Sequence, residues 1–293
     1  MRILITGCNG QVGSSLTEQL AKHEHAEVLA LDREHLDITN QDAVNAAVTD
    51  FKPSIIINAA AHTAVDKAEE EVELSYAINS DGPKYLAQAA QDIRAAILHI
   101  STDYVFEGNK IGDYAESDTT NPQGVYGKSK LAGEIAVAQE CDKYIILRTA
   151  WVFCEHGNNF VKTMLRLAAT RDALNIVGDQ FGGPTYAGDI ANALIQIANQ
   201  IDQDEAIEFG VYHFSGLPHV SWYEFAETIF DTAFEQGIIS KKPCLTSIST
   251  EQYPTPAKRP NNSRLSTDKI TKLFSIEASD WQMALKNIQA YTG

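Results

Sequence analysis

The chain has 293 residues, of which 44% are hydrophobic and 21% charged, a composition typical of a soluble globular protein with one large or two intimate domains. Its formal net charge of −16 argues against nucleic acid or an acidic membrane surface as a partner, and no apolar run approaches the ~20 residues of a membrane helix. The N-terminus lacks the pattern of a secretory signal and the four cysteines form no C-x-x-C pair, so we expect a cytoplasmic protein with no metal site.

Short apolar runs alternate with helical stretches through the first half of the chain. The pattern predicts strands over 2–6, 27–31, 53–58, 96–101 and 144–148, and helices over 11–23, 41–50, 65–91 and 126–139, with a helix break near Gly82-Pro83. The second half is less regular, with helices predicted at 159–170 and 222–236, a turn followed by a helix over 183–199, and a strand at 211–214. Strands that alternate with helices imply crossover connections, so we predict an α/β fold with a Rossmann-type, doubly wound parallel sheet.

Three glycines, Gly7, Gly10 and Gly13, lie between the first predicted strand and the first helix. Glycine permits a tight turn that approaches a phosphate closely, and the helix behind it offers free N–H groups. The spacing differs from the commonest dinucleotide-binding pattern, so a purely structural turn stays an alternative. Asp32 ends the second strand, where an acid binds adenosine ribose hydroxyls, which favours a dinucleotide over a solvated strand end. Arg33 follows and suits the extra phosphate of NADP, so NADH and NADPH both stay open.

Tyr126 and Lys130 are four residues apart on a predicted helix and therefore share one face. Reduction of a ketone requires a hydride on carbon and a proton on oxygen, and a tyrosine of ordinary pKa ~10 keeps its proton at neutral pH. A nearby ammonium lowers that pKa because it stabilises the phenolate. The same spacing is common on solvated helices, but here it follows a glycine turn and the segment Ser101-Thr102-Asp103 at a strand end. This context favours a catalytic pair.

These motifs resemble the extended short-chain dehydrogenase/reductase superfamily and, within it, the dTDP-4-dehydrorhamnose reductase family, nearly end to end. The glycine turn and the Tyr-x-x-x-Lys pair are shared with the whole superfamily. The stretches that resemble the reductases more specifically are 58–69, 101–106, 126–134, 148–153, 157–160, 179–185 and 259–265.

The resemblance, together with the glycine turn, implies a set of site residues. Tyr126 would donate the proton, Lys130 would assist it electrostatically and hold the cofactor, and Thr102 would bond the C4 oxygen of the sugar. The predicted contacts with NADPH or NADH also include Gly7, Gly10, Gln11, Val12, Gly13, Asp32, Arg33, Asp37, Ile38, Ala61, His62 and Thr63. The predicted contacts with the nucleotide-sugar are Thr102, Asp103, Trp151 and Asn159, although Asn159 is equally suited to cap a helix.

The implied reaction is reduction of dTDP-4-dehydro-β-L-rhamnose to dTDP-β-L-rhamnose. Dehydratases of the superfamily carry a glutamate acid/base where this chain has Tyr104, so elimination of water fits poorly. The sequence alone does not separate reduction from epimerisation. The regulatory β subunit of methionine adenosyltransferase also resembles these reductases without sharing their activity, but the presence of Thr102, Tyr126 and Lys130 together favours an enzyme.

The remaining expectations concern the domain division, the oligomeric state and a group of basic residues. The resemblance implies a dinucleotide-binding domain over 1–151, to which the segment near 185–214 returns, and a smaller, mainly substrate-binding domain over 152–293. Some relatives form dimers around magnesium held by glutamates, but Ser15 and Gly188 stand at those places here. Magnesium is therefore not predicted, and either a monomer or a homodimer is expected, with a small-molecule substrate as its partner.

The basic residues Lys258, Arg259 and Arg264 suit either the substrate diphosphate or pairing with surface acids.

Overall fold

The protein is described here by a computed structural model that covers residues 1–23, 25–203 and 206–292. Its strands are β1 Arg2–Thr6, β2 Glu27–Leu31, β3 Ile55–Asn58, β4 Ala96–Thr102, β5 Tyr144–Thr149, β6 Val152–Phe153, β7 Ala173–Val177, β8 Phe181–Gly182, β9 Thr185–Tyr186, β10 Gly210–His213, β11 Val220–Ser221, β12 Cys244–Ile248 and β13 Asn262–Ser263. Its α-helices are α1 Gln11–Leu20, α2 Gln41–Phe51, α3 Val65–Ala68, α4 Val72–Tyr76, α5 Gly82–Asp92, α6 Val125–Glu140, α7 Phe160–Ala168, α8 Ala187–Asp202, α9 Trp222–Glu235, α10 Asp268–Phe274 and α11 Trp281–Leu285.

Six parallel strands form the central sheet in the order β10-β5-β4-β3-β1-β2. From β1 the chain first adds β2 on one side and then β3 on the other, so the winding direction reverses between β1 and β3. In open α/β sheets, ligands bind outside the carboxyl ends of the strands at such a reversal. The predicted α/β fold with a parallel sheet is confirmed, and the sheet points to the carboxyl ends of β1 and β3 as the place for a site.

Apolar side chains cover both faces of this sheet. Along β1, Ile3 and Ile5 pack into a cluster with α1 and α8, while Leu4 packs into a second cluster with α2 and α5. Successive residues of a strand point to opposite faces, so a strand buried on both faces needs a continuous apolar run. That requirement explains why β1 and β3 are almost entirely apolar and why helices flank the sheet on both sides.

The prediction of one long helix over 65–91 is wrong, because the structure divides this segment into several shorter helices. The segment 65–91 contains α3 and α4, separated by 69–71, and then a π-helical turn at Ala77–Asp81 that leads into α5. No break occurs at Gly82-Pro83, because the π-helical turn runs directly into α5 and shifts the hydrogen-bond register just before Pro83, which has no N–H to donate. The interruption comes instead at three consecutive glutamates, Glu69 to Glu71.

Some helices and strands of the second half of the chain pack on the central sheet and its helices, and others form a separate core. The helix α8 packs against α1, and β10 joins the edge of the central sheet beside β5. A separate core lies between α7, α9 and α11, with Trp281 fully buried within it. The domain boundary at residue 151 stays a prediction. Within the described residues, no helix has the length and apolar character that a membrane span requires.

Candidate active site

A cleft of about 1060 Å³ opens at the carboxyl ends of β1, β3, β4 and β5. It is lined by the glycine turn, by the segments that follow β3 and β4, by α6, and by residues of the second half of the chain. Of the predicted site residues, those that line it are Gly10, Gln11, Val12, Ala61, Thr63, Thr102, Asp103, Tyr126, Lys130 and Trp151. Residues 120 positions apart in the sequence are thus brought to one surface.

The glycine turn fits its predicted role. Gly7 has a φ of +70°, and a Cβ there would lie 2.6 Å from the backbone nitrogen of Ala60. A Cβ on Gly13 would lie 2.1 Å from the carbonyl oxygen of Gly7. Both positions therefore require glycine. Gly10 is the N-cap of α1 and supplies no side chain to the first N–H groups, which stay available for a pyrophosphate.

The acid predicted to bind the adenosine ribose lies beside this turn. One oxygen of Asp32 accepts a hydrogen bond from Asn9 Nδ2 at 2.9 Å, and the other lies 2.7 Å from Nδ1 of His35. The bond with His35 lowers the pKa of Asp32, so the carboxylate is charged at neutral pH. Asp32 and Arg33 both lie outside the lining of the cleft, next to the glycine turn.

Three other predicted cofactor residues have partners within the protein. Asp37 accepts hydrogen bonds from the backbone N–H and the hydroxyl of Thr39. Ile38 is 5% exposed and packs in the apolar core. His62 lies 2.8 Å from the Ser75 hydroxyl and 3.2 Å from a Glu71 carboxylate oxygen, so its ring is held by α4 and the residue before it. The structural role weighed for His62 is present, and cofactor contact at these three residues stays a prediction.

Tyr126 and Lys130 are both buried at the floor of the cleft, 9% and 2% exposed. Lys130 Nζ donates a hydrogen bond to the carbonyl oxygen of Ile100 at 2.6 Å. Burial raises the pKa of Tyr126 above its ordinary value, which the Thr102 hydroxyl partly offsets. Burial also lowers the pKa of Lys130 to about 8, against the opposing charge of Glu134. The lowered tyrosine pKa expected from the sequence is therefore wrong for this arrangement, because burial outweighs the other effects.

Thr102 and Asp103 follow each other at the end of β4, 6% and 4% exposed. The Thr102 hydroxyl donates to Asp103 Oδ1 at 3.0 Å, whereas Oδ2 has no hydrogen-bond partner in the described part of the chain. Burial raises the pKa of Asp103 to about 6, opposed by the Ser263 and Thr102 hydroxyls; the Ser263 hydroxyl is nearby but outside hydrogen-bond geometry, so it too has no partner among the described residues. A buried acceptor without a partner is suited to a hydroxyl of a sugar.

Asp103 should reduce stability in a pH-dependent way. Its pKa in the folded protein lies above the ordinary 3.8, so the charged carboxylate destabilises the fold above about pH 6, and this penalty fades as the pH falls. The difference between a pKa of 3.8 and one of about 6 is worth up to about 3 kcal/mol of folding free energy. Asp103→Asn should therefore stabilise the fold by about 2 kcal/mol at pH 8 and by roughly half as much at pH 5. Thermal unfolding at both pH values measures this, and an equal gain at both would contradict it.

Two tryptophans form an aromatic wall of the cleft. The rings of Trp151 and Trp222 stack with centroids 3.5 Å apart and planes 12° from parallel. Trp151 has a φ of +49°, uncommon for a bulky residue, and a Cβ on Gly182 would lie 2.6 Å from its ring. Trp222 was not predicted from the sequence, because nothing in a single sequence pairs residues so far apart. Both tryptophans line the cleft, so the stack contributes apolar ring edges to its surface.

Asn159 and Arg259 have clear partners. The Asn159 side chain caps α7 by accepting a hydrogen bond from Lys162 N at 3.1 Å, and it donates to Gln11 Oε1 at 3.1 Å. The capping role is therefore present, and the side chain also positions Gln11 in the glycine turn. Arg259 lines the cleft and pairs with Asp66 at 2.6 Å, so the alternative of pairing with an acid is correct for this residue.

Ser15 of α1 and Gly188 of α8 stand where some relatives have magnesium-binding glutamates, and the two helices pack against each other. Ser15 is buried, and its hydroxyl donates to the Gln11 carbonyl oxygen at 3.0 Å. The Gly188 carbonyl accepts a hydrogen bond from Gln19 Nε2 at 2.8 Å. Neither residue supplies a carboxylate.

One cleft contains both the glycine turn and the tyrosine–lysine pair. Comparison with known proteins identifies the same family over nearly the whole chain. A family model described as "RmlD substrate binding domain" matches residues 1–292. The chain is 56% identical over 290 residues to the dTDP-4-dehydrorhamnose reductase of Aggregatibacter actinomycetemcomitans, with 99% of each chain covered. The chain belongs to the dTDP-4-dehydrorhamnose reductase family.

Solved structures of dTDP-4-dehydrorhamnose reductases share the fold. The enzyme from Clostridium acetobutylicum superimposes with a TM-score of 0.90 at 43% identity, covering 98% of each chain. The enzyme from Bacillus anthracis, solved in complex with NADP, has a TM-score of 0.88 at 38% identity, covering 98% of this chain and 97% of its own. The family resemblance predicted from the motifs is confirmed.

Proposed function

We propose that the protein reduces the 4-keto group of dTDP-4-dehydro-β-L-rhamnose to give dTDP-β-L-rhamnose, with hydride from NADPH or NADH. The observation that carries this proposal is the shared cleft. Tyr126, Lys130 and Thr102 line the same surface as the glycine turn, so a cofactor on that turn and a sugar beside Thr102 would be neighbours. Membership of the reductase family supports the choice of substrate.

The residues present fit a dinucleotide. Gly10, Gln11 and Val12 would hold its pyrophosphate at the N-terminus of α1, where free N–H groups face the cleft. Asp32 would bind the adenosine ribose, and Lys130 the nicotinamide ribose. The bound cofactor supplies the hydride.

Tyr126 donates the proton in this mechanism. Its raised pKa keeps the phenol protonated at neutral pH, so the proton is in place before the hydride arrives. The Thr102 hydroxyl, which donates to Asp103 Oδ1 in the structure, would turn to donate to the same C4 oxygen and orient it. A charged Lys130 stabilises the phenolate that remains, which offsets the cost of burying that charge.

The nucleotide-sugar would lie between Asp103 and the tryptophan wall. Asp103 Oδ2 would accept a sugar hydroxyl, and Trp151 would contact the ligand by its ring edge, because Trp222 and Gly182 lie against its ring. In this proposal residues 1–151 and the segment near 185–214 form the cofactor-binding part, and most of 152–293 forms the substrate-binding part. The proposal includes a cytoplasmic location, which the four free cysteines support, and either a monomer or a homodimer.

A steady-state assay with dTDP-4-dehydrorhamnose and each coenzyme tests the function. We expect one coenzyme molecule to be oxidised for each dTDP-rhamnose formed, and the ratio of kcat/KM values gives the coenzyme preference. An epimerase would return its hydride and consume no coenzyme. Coenzyme binding without turnover, together with tight binding to a methionine adenosyltransferase, would favour the regulatory-subunit alternative instead.

A further inference from the structure

A row of buried polar side chains leads away from Lys130 across the sheet. Thr6 of β1, Asn58 of β3 and His99 of β4 lie in register as strand neighbours. Lys130 Nζ lies 3.4 Å from His99 Nε2, and His99 Nδ1 lies 3.0 Å from Asn58 Nδ2. Each of these four residues is at most 2% exposed. Buried polar groups must satisfy one another, so donors and acceptors are tightly constrained along this row.

The backbone N–H of Ala60 fixes the orientation of the Asn58 amide. That N–H can only donate, and it lies 3.1 Å from Asn58 Oδ1, which also accepts a bond from the Thr6 hydroxyl at 2.7 Å. The amide nitrogen of Asn58 therefore faces His99, and since it too can only donate, His99 Nδ1 must accept. A neutral imidazole carries one proton, so the proton of His99 lies on Nε2, facing Lys130.

This tautomer disfavours a charge on Lys130. An ammonium group has three donors and no acceptor, so it cannot bond to the N–H at Nε2 of His99. An uncharged amine can accept from that N–H while it donates to the carbonyl oxygen of Ile100 at 2.6 Å. Burial acts in the same direction, since it lowers the pKa of Lys130 to about 8 and holds that of His99 well below its ordinary value.

Few other titratable groups face Lys130. Glu134 on the same helix raises the pKa of Lys130, but its carboxylate is paired with Arg148 of β5. Asp103 follows β4 and lines the same cleft, and Tyr126 lies one turn earlier on α6. His99 is thus the group within hydrogen-bond reach of Nζ whose protonation pattern is dictated by the backbone.

We propose that His99 is a positioning residue: its proton on Nε2, held there by Asn58, controls the charge of Lys130 and so sets the alkaline limit of catalysis. The inference rests on the proposed function, in which Lys130 must be charged to stabilise the Tyr126 phenolate. The phenol itself keeps its proton to high pH, so Lys130 is the group whose loss of charge ends activity as pH rises.

Nitrogen NMR of the full-length protein with labelled histidine tests the tautomer directly. The chain has eight histidines, and His99→Gln assigns the signal. We expect a neutral ring that is protonated on Nε2 and does not titrate between about pH 6 and 9. The chemical shift of Nε2 should nevertheless change as Lys130 titrates near pH 8. In Lys130→Met that change should disappear. A proton on Nδ1, or a charged ring, overturns the proposal.

Asn58→Asp provides the second test, because it replaces the amide donor by an acceptor. His99 should then carry its proton on Nδ1 and offer Nε2 to the ammonium. The alkaline limb of kcat/KM should move up by about one pH unit, but the added negative charge also favours the ammonium, so the tautomer is the result that decides. In the control Thr6→Val, the Ala60 N–H still orients Asn58, so tautomer and alkaline limb should stay as they are. An unchanged tautomer in Asn58→Asp, or a changed one in Thr6→Val, counts against the proposal.

The two proposals can fail separately. The tautomer is measured on the protein whether or not it turns over dTDP-4-dehydrorhamnose, and turnover is measured whatever the tautomer. If Asn58→Asp does not fold, the wild-type tautomer still decides, because the inference makes a definite statement about it.

Discussion

Tyr126→Phe should lose between about 10² and 10⁴ of kcat while it keeps its affinity for the coenzyme. The substitution removes one hydroxyl from a residue that is 9% exposed, and the ring can keep its edge-on contact with Tyr104, whose centroid lies 5.4 Å away. The keto oxygen would then lack its proton donor, although Thr102 could still orient it. Steady-state kinetics with a parallel coenzyme titration separates the loss of chemistry from any loss of binding.

Tyr104→Phe is the matched control for that variant. Tyr104 lines the same cleft, and burial raises its pKa to about 12, so it is a second buried phenol close to the first. Its hydroxyl lies 3.4 Å from Arg259, a partner outside the proposed proton transfer. We expect Tyr104→Phe to lower kcat far less than Tyr126→Phe. Equal losses in both, or near-normal turnover in Tyr126→Phe, would remove Tyr126 from its role.

Local patterns explain why much of this fold could be predicted from the sequence. Each strand of the central sheet is a short apolar run next to a helical stretch, and Gly7 and Gly13 mark the turn where no Cβ fits. The four-residue spacing of Tyr126 and Lys130 fixes a shared helical face whatever surrounds them. These features depend on neighbours in the sequence, which is why they were accessible without a structure.

The features that were missed depend on tertiary packing. The pKa of Tyr126 follows from its burial, and the stack of Trp222 on Trp151 follows from the packing of α9 in the core of the second half. A weak signal did exist for the row beneath Lys130, since Asn58 ends the apolar run of β3 and His99 lies between apolar residues of β4. Such a polar residue in a buried strand indicates a specific partner, but the sequence does not name it.

The second large effect concerns a buried ion pair beneath the cleft. Glu134 on α6 accepts two hydrogen bonds from Arg148 on β5, at 2.9 and 2.7 Å, and the two side chains are 4% and 5% exposed. Arg148 also lies over the Phe106 ring at 5.0 Å. Removal of one partner of such a pair leaves an uncompensated buried charge, which typically costs about 3–5 kcal/mol, a large part of the roughly 5–15 kcal/mol that stabilises a folded protein.

Arg148→Met should therefore lower the free energy of unfolding by about 3–5 kcal/mol, whereas the double variant Glu134→Met/Arg148→Met should recover most of that loss, because it buries no lone charge. Thermal and denaturant unfolding of both variants measure the difference. The exposed pair Lys242–Asp231 is the matched control, with the same kind of contact at 2.9 Å but side chains 48% and 57% exposed. Lys242→Met should cost less than about 1 kcal/mol. A double variant as unstable as Arg148→Met would show that packing, and not the lone charge of Glu134, governs this position.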